Sequence, residues 1–399
     1  MIYLDNNATT QVAPEVRAAM LPYLTELYGN PSSAHTFGRE TRKAVERARE
    51  QIASLLCANE ASEIVFTSGG SESDNWAIRG ALSVQQTKRH IITTRVEHEA
   101  VKNLCAQLEQ EENYEVTWLD VDEEGLLDTE SLRAALRADT ALVSVMLANN
   151  ETGVLFPVEE IGRIVRAHSN ALFHVDGVQA VGKIPINLRE WNVDLFSVTG
   201  HKLHAPKGIG ALYMRDELRL PSLIIGGGQE RGRRAGTEAV PYIVALGAAS
   251  EIAEHTDAKT HARIRRLRDE LEDEILRCIP NARLNGTSDR TRRLPNTSNI
   301  SFAYIDGESI LARLDAKEIC VSTGSACNAD THEASGVLRA MNVPYTLAQG
   351  SIRFSLGRYT TEGDTKETIE ALPPIINRLA QISPYEKELS AMGAFTYGN

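Results

Sequence analysis

Apolar and polar positions alternate in blocks along the first half of the chain. Seven short runs rich in β-branched and aromatic residues read as strands: EIVFTS (63–68), HIITT (90–94), YEVTWLD (114–120), TALVSVMLA (140–148), ALFHVD (171–176), VDLFSVTG (193–200) and GIGALYM (208–214). Amphipathic stretches such as 158–168 lie between several of them. Earlier, 39–56 sets Val45, Ala48, Ile52 and Leu56 at helical spacing. Strand–helix alternation predicts an α/β fold whose mostly parallel sheet is covered on both faces. Residues 258–278 predict a long charged helix that connects to a second, smaller α/β region. That region has fewer strands (TSNISFAY, GSIRFSL) and a helix in ETIEALPPIINRLAQI.

Ligands of open α/β sheets collect at the carboxyl ends of the strands. The segments that follow the runs are polar and distinctive: GGSESDN, RVEHEA, NNETG, DGVQA and TGHK. A Gly-rich turn leading into a helix, with Gly70 and Ser71, offers backbone N–H groups and a hydroxyl to a phosphate. It lacks the Gly-Lys-Ser/Thr ending of a P-loop and reads equally as a capped turn. Asp176 ends its run and suits either a ring nitrogen or a helix cap. Lys202 reads alone as a solvated surface charge, but at a strand end a desolvated lysine could lose its proton and form a Schiff base. His98 reads alone as a satisfied strand-end histidine. Together, a phosphate cradle, a strand-end carboxylate, a strand-end amine and an imidazole are the groups that pyridoxal 5′-phosphate needs. Arg353 has the fork that clamps a carboxylate, or it makes an ordinary edge salt bridge. GGGQERGRRAGTE (226–238) fails as a dinucleotide fingerprint and reads as a phosphate-reaching segment or a flexible loop.

Composition narrows the partners. The net charge of −12 argues against nucleic acid. No run approaches the ~18 apolar residues of a membrane span. With no leader-like start, a cytoplasmic protein is expected. Five scattered cysteines without a CxxC suggest neither a disulfide framework nor a metal site. One of them, Cys327, sits in VSTGSACNADTHE (321–333), among small polar residues where a thiol gains little burial.

The chain resembles the cysteine desulfurases of the NifS/IscS family, which are fold-type-I pyridoxal phosphate enzymes, and most of all their NifS branch, which serves nitrogenase metalloclusters. The resemblance spans nearly the whole chain. It rests on YLDNNATT, YGNPSSAH, FTSGGSESDN, VEHEAV, ANNETG, FHVDGVQAVGK, GHKLHAPKGIGALY, GGGQERGRRAGTE, STGSACN and SIRFSLGRYTTE, in that order. It implies a seven-stranded large domain (15–257) and a small domain (1–14 with 258–399). Lys202 would bind the cofactor covalently, Asp176 would pair with its ring nitrogen, Gln179 would meet the ring hydroxyl, and His98 would stack on the ring and move protons. Gly70, Ser71, Thr199 and His201 would hold the phosphate. Thr237 would reach the phosphate of a second subunit, which implies a homodimer. Asn150 and Arg353 would hold the carboxylate of L-cysteine. Cys327 would take the sulfur as a persulfide, leave L-alanine, and pass the sulfur to an iron–sulfur scaffold protein. An ordinary cysteine is only ~3% thiolate at pH 7, so activation belongs near the cofactor.

The chain departs from the family at Ser71 and Thr199, which keep the hydroxyl, at Gly177, and at Asp330, His332 and Ala334 after the cysteine. A selenocysteine lyase or transaminase, and a non-catalytic iron–sulfur scaffold, are the competing readings. Cys327 argues against a transaminase, and the set of Lys202, Asp176 and His98 argues against a scaffold.

Overall fold

The computed structural model describes residues 1–256, 258–323 and 334–392. Its strands are β1 (Ile2–Tyr3), β2 (Ile64–Thr67), β3 (His90–Thr94), β4 (Glu115–Leu119), β5 (Thr140–Met146), β6 (Leu172–Asp176), β7 (Leu195–Thr199) and β8 (Gly210–Met214). They continue with β9 (Ala282–Asn285), β10 (Thr297–Phe302), β11 (Ile319–Cys320), β12 (Ser322–Thr323) and β13 (Ser351–Ser355). All seven runs read as strands in the sequence form one sheet, in the order β2-β8-β7-β6-β5-β3-β4. Every pairing in it is parallel except those of β8, which runs antiparallel to both β2 and β7.

The sheet is buried on both faces, so its strands read as nearly continuous apolar runs. Along β7, Leu195 packs with Val65, Leu142, Leu172 and Leu212 under the helices Gly70–Val84 and Glu99–Glu111. Its neighbours Phe196 and Val198 point the other way, with Val143, Phe173 and Val175, towards the helices Thr36–Leu55, Val158–His168 and Val240–Glu254. The Thr36–Leu55 helix begins three residues before the apolar spacing suggests, because the His35 ring accepts the Gly38 N–H at 3.1 Å and caps it.

A second apolar cluster joins Ile2 and Leu4 to Ile264, Leu267 and Leu271 of the Ala258–Cys278 helix, and to Ile300, Ile352 and Phe354. Its sheets are antiparallel, β12-β13-β10-β9, and parallel, β1-β11. The Glu362–Gln381 helix runs through Pro373 and Pro374 unbroken. An interior proline costs about 3 kcal/mol, which the burial of Leu372, Ile375, Ile376 and Leu379 offsets. Residues 334–348 pack elsewhere: Ala334, Val337, Leu338, Met341 and Ala348 join the core of the seven-stranded sheet.

The Gly-rich segment 226–238 is pinned at two points. Glu230 and Arg49, both buried, meet in a two-pronged pair at 2.8 and 2.9 Å, and Glu230 also accepts the Phe66 N–H. Arg234 grips Glu72, in the first turn of the Gly70–Val84 helix, at 2.9 and 3.1 Å. The segment is therefore tied to β2 and to the helix that β2 feeds.

Candidate active site

Register brings the strand ends together. Met146 is level with Asp176, and Asp176 with Ser197. Gly210 pairs with both Thr67 and Thr199. The turns after β2, β6 and β7 thus open at one edge. The Gly70–Val84 helix starts there, and the first N–H groups of a helix have no partner within it. A Cβ on Gly70 would stand 2.9 Å from the Val178 side chain, so the glycine lets this helix end approach the turn after Asp176 without displacing Val178. Ser71 is exposed on that end, and Thr199 is buried beside it.

Asp176 is buried, with Oδ1 accepting the Val178 N–H at 2.9 Å. Burial raises its pKa, while the charge of His98, the Val178 hydrogen bond and the charge of Lys202 oppose the rise. Asp176 therefore lies within electrostatic reach of both His98 and Lys202. His98 caps the Glu99–Glu111 helix, its Nδ1 accepting the Ala100 N–H at 3.1 Å, which leaves Nε2 as the ring's other polar atom. Lys202 ends the short 3-10 turn after β7, half-buried, with Nζ donating to the main-chain oxygens of Asn7 and Ala8. His201 meets Thr9 Oγ1 at 3.2 Å, and burial with the charges of Lys202 and Lys207 brings its pKa down to about 4.

Arg353 lies on β13, buried, donating to Asp5 Oδ1 at 2.8 Å and to the Asn150 carbonyl at 3.1 Å. Its Nε and the Asn150 Oδ1 are buried without a hydrogen-bond partner. Such groups cost stability unless something arrives to pair with them. Gln179 is buried, its Nε2 donating to the Asn7 carbonyl at 3.0 Å. Thr237 is exposed and lines a separate groove with Thr67, Ser68 and Arg234. Cys327, with Asp330 and His332, lies outside the described residues.

Several groups here were not singled out from the sequence. Asn7 accepts from Lys202 and Gln179 on its main chain and bonds Thr297 and Asn296 through its side chain. Beneath Asp176 lie Asp74, His174 and Glu97, all buried. His174 sits between Ser144 and Ser197 at 2.9 and 3.0 Å, and burial takes its pKa down to about 3. Burial pushes Glu97 up to about 8, and Asp74 well above the carboxylate range. Of the three carboxylates, Asp176 is the one whose rise the charges of His98 and Lys202 oppose. The parity of His174 and Asp176 on β6 was the available signal for this layer. Glu151, next to Asn150, accepts from Ser335 at 2.5 Å, and burial raises its pKa to about 7.

This geometry has known relatives. The class-V aminotransferase profile matches residues 2–368. Cysteine desulfurase 2 of Trichormus variabilis is 57% identical over 389 residues, 97% of this chain and 96% of the relative. The chain belongs to the cysteine desulfurases of the class-V aminotransferase family. Among solved structures, a NifS-like protein superimposes with a TM-score of 0.88 at 38% identity, covering 95% of this chain and 100% of that one. A second, SspA in complex with cysteine, gives 0.79 at 36% identity, covering 90% and 100%.

The family's cofactor is pyridoxal 5′-phosphate. The described residues fit it. The first N–H groups of the Gly70–Val84 helix lack partners within it, the buried Asp176 lies within electrostatic reach of Lys202 and His98, and buried Asn150 Oδ1 and Arg353 Nε lack partners. When bound, the cofactor supplies an electron sink for bonds at the substrate's carbons. Among the described residues, no helix is long and apolar enough to cross a membrane.

Proposed function

We propose that the protein converts L-cysteine to L-alanine, takes the sulfur as a persulfide on Cys327, and donates it to a scaffold protein for iron–sulfur or nitrogenase metallocluster assembly. The observation that carries this reading is the buried Asp176 carboxylate within electrostatic reach of Lys202 and His98 at the strand ends. In the reaction the substrate's C–S bond breaks and an S–S bond forms to Cys327, whose thiol proton is lost to solvent. One proton must reach the substrate's Cβ, balancing the one lost by the thiol, while the Cα proton is removed and later returned, and His98 would move these protons. Lys202 would bind the cofactor covalently and Asp176 would hold its ring nitrogen protonated. Gln179 would donate to the ring hydroxyl. Gly70, Ser71, Thr199 and His201 would hold the phosphate. The large domain would span 15–257, and the small domain 1–14 with 258–399. The test is incubation of the pyridoxal-phosphate-loaded protein with L-cysteine and a thiol reductant. Equal amounts of alanine and sulfide are expected, and absence of alanine overturns the reading.

Arg353 and Asn150 would bind the substrate carboxylate, taking up the unpartnered Nε of Arg353. Lysine keeps the charge but loses the planar fork. Arg353→Lys should therefore lower kcat/KM for L-cysteine by about a hundredfold, in line with the ~3 kcal/mol that losing part of a buried charge pair costs. Steady-state alanine formation measures it. An unchanged kcat/KM would confine Arg353 to holding Asp5.

The working form would be a cytoplasmic homodimer in which Thr237 completes the partner's phosphate site. Leu223, Ile224 and Ile225 support this, because they stand 36%, 39% and 91% exposed just before the pinned 226–238 segment. A subunit-mixing experiment reads the arrangement. If Thr237 acts across the dimer, a heterodimer of a Lys202→Ala chain and a Thr237→Ala chain holds one intact site. Such heterodimers should recover about half the parent's activity per dimer, since one of two sites is whole. No recovery above the two homodimers would put Thr237 in its own subunit's site.

A further inference from the structure

We propose that Lys183 is a positioning residue for the cofactor, an amine that clamps the side-chain amides of Asn7 and Gln179 so that Gln179 presents an N–H to the ring hydroxyl. This rests on the pyridoxal phosphate reading above. Lys183 follows the turn after Asp176, one helical turn beyond Gln179. Its Nζ donates to Gln179 Oε1 at 3.0 Å and to Asn7 Oδ1 at 3.1 Å. A second contact on each amide identifies the atom that faces Lys183. The Gln179 Nε2 already donates to the Asn7 main-chain oxygen, and the Asn7 Nδ2 to the Asn150 main-chain oxygen at 3.2 Å. Main-chain oxygens only accept, so the amide oxygens are the atoms left to face Lys183. Two acceptors match the two N–H groups of an uncharged amine.

The surroundings favour that uncharged state. The charged groups acting on Lys183 are cations, Lys202 and Arg353, and burial together with their charges holds its pKa well below the lysine range. Arg353 is engaged by Asp5. On the other side Lys183 and Lys202 line a cavity of about 70 Å³ whose wall also carries His204, His261 and Arg358. Arg358 is met by Glu15 at 3.6 Å. No hydrogen bond pairs Lys183 with a carboxylate among the described residues. A lysine so placed does not serve as a surface charge. With Nε2 held by Asn7 on one N–H, the second N–H of Gln179 is the one available to the ring oxygen.

A donor on that oxygen stabilises its anionic form and so lowers the pH at which the bound cofactor loses its proton. Removing the clamp lets the Gln179 amide turn, and the pH must rise. The experiment is a pH titration of the visible absorption of the loaded enzyme without substrate, for the parent, Lys183→Met, Gln179→Leu and the double variant. Lys183→Met should move the midpoint up by about one pH unit, the size expected from losing one hydrogen bond. Gln179→Leu should move it the same way, and the double variant no further than Gln179→Leu alone. Lys183→Arg, which keeps the donors but is always charged, should leave the midpoint at or below the parent's and never above it. If Lys183→Met does not fold, Lys183→Arg carries the test, and a midpoint displaced like that of Gln179→Leu overturns the proposal. An unmoved midpoint in Lys183→Met, or additive shifts, also overturns it. A parent protein that gains no visible band with pyridoxal phosphate would instead refute the cofactor reading itself.

Discussion

Replacing Lys202 by alanine is expected to abolish alanine formation, with a loss of about four orders of magnitude or more, as for removal of a covalent catalytic group. The expectation rests on the position of the amine. Lys202 follows β7 directly, is half-buried, and donates to the main-chain oxygens of Asn7 and Ala8. Its charge opposes the rise that burial imposes on the Asp176 pKa. A second amine is nearby: Lys183 bonds the side chain of the same Asn7. The measurement must therefore separate the two. Borohydride reduction of the loaded parent followed by peptide mass analysis should place the cofactor on Lys202, and the Lys202→Ala protein should lose the parent's visible band. Cofactor found on Lys183, or a variant with normal colour and turnover, would show that the wrong lysine has been chosen.

Why Lys202 was legible in the sequence, and Lys183 was not, is a matter of context. Most of the strands are buried on both faces and read as nearly continuous apolar runs, so the polar residues that end them stand out. Asp176 and Thr199 close such runs, with Lys202 three residues after Thr199. Lys183 lies in VGK, among residues that a sequence alone assigns to a surface turn. Its partner Asn7 lies four residues beyond a strand only two residues long. The Arg353–Asp5 pair joins positions 348 apart in the chain, and no local pattern encodes that contact. Arg49 was hidden differently. It sits in a charged helix, RETRKAVERAREQ, where every charge reads as solvated, yet it is 2% exposed and pairs with Glu230. That pair ties the Gly-rich segment to the Thr36–Leu55 helix at Glu230. The buried Asp74, His174 and Glu97 escaped for the opposite reason. Polar residues inside strands and at helix starts look like caps until the tertiary structure removes their water.

The Cys327→Ser protein should still bind pyridoxal phosphate and take up L-cysteine, yet form no persulfide and release no sulfide. Cofactor binding and sulfur capture are expected to separate because the groups that fit the cofactor are strand-end residues of the seven-stranded sheet, whereas the thiol would be needed only when the substrate's C–S bond breaks. The described cysteines offer poor alternatives. Cys105 is buried under the sheet, where burial raises its thiol to about 12. Cys320 pairs with Tyr3 in the β1–β11 ladder, and burial with the charges of Asp315 and Asp5 raises its pKa, which reduces its thiolate. Cys278 ends a helix whose other end, at His261, lines the cavity beside Lys202. At 1.5 Å per residue that places it roughly 25 Å away along the helix. Cys57 lies just past the Thr36–Leu55 helix at a φ of 50°, half-buried. Mass analysis of the parent after incubation with L-cysteine should find the added sulfur on the peptide that contains Cys327. Sulfur on Cys320, or full sulfide release by Cys327→Ser, would move the nucleophile to another thiol. The segment after Cys327 tests the same assignment. Asp330→Gly with His332→Leu should leave alanine formation with a small-molecule reductant within a few-fold, since solvated charges shift a neighbouring thiol by about 1 kcal/mol or less. Any larger effect of those two residues should appear in the rate of transfer to a scaffold protein, because that step requires the persulfide to meet a second molecule.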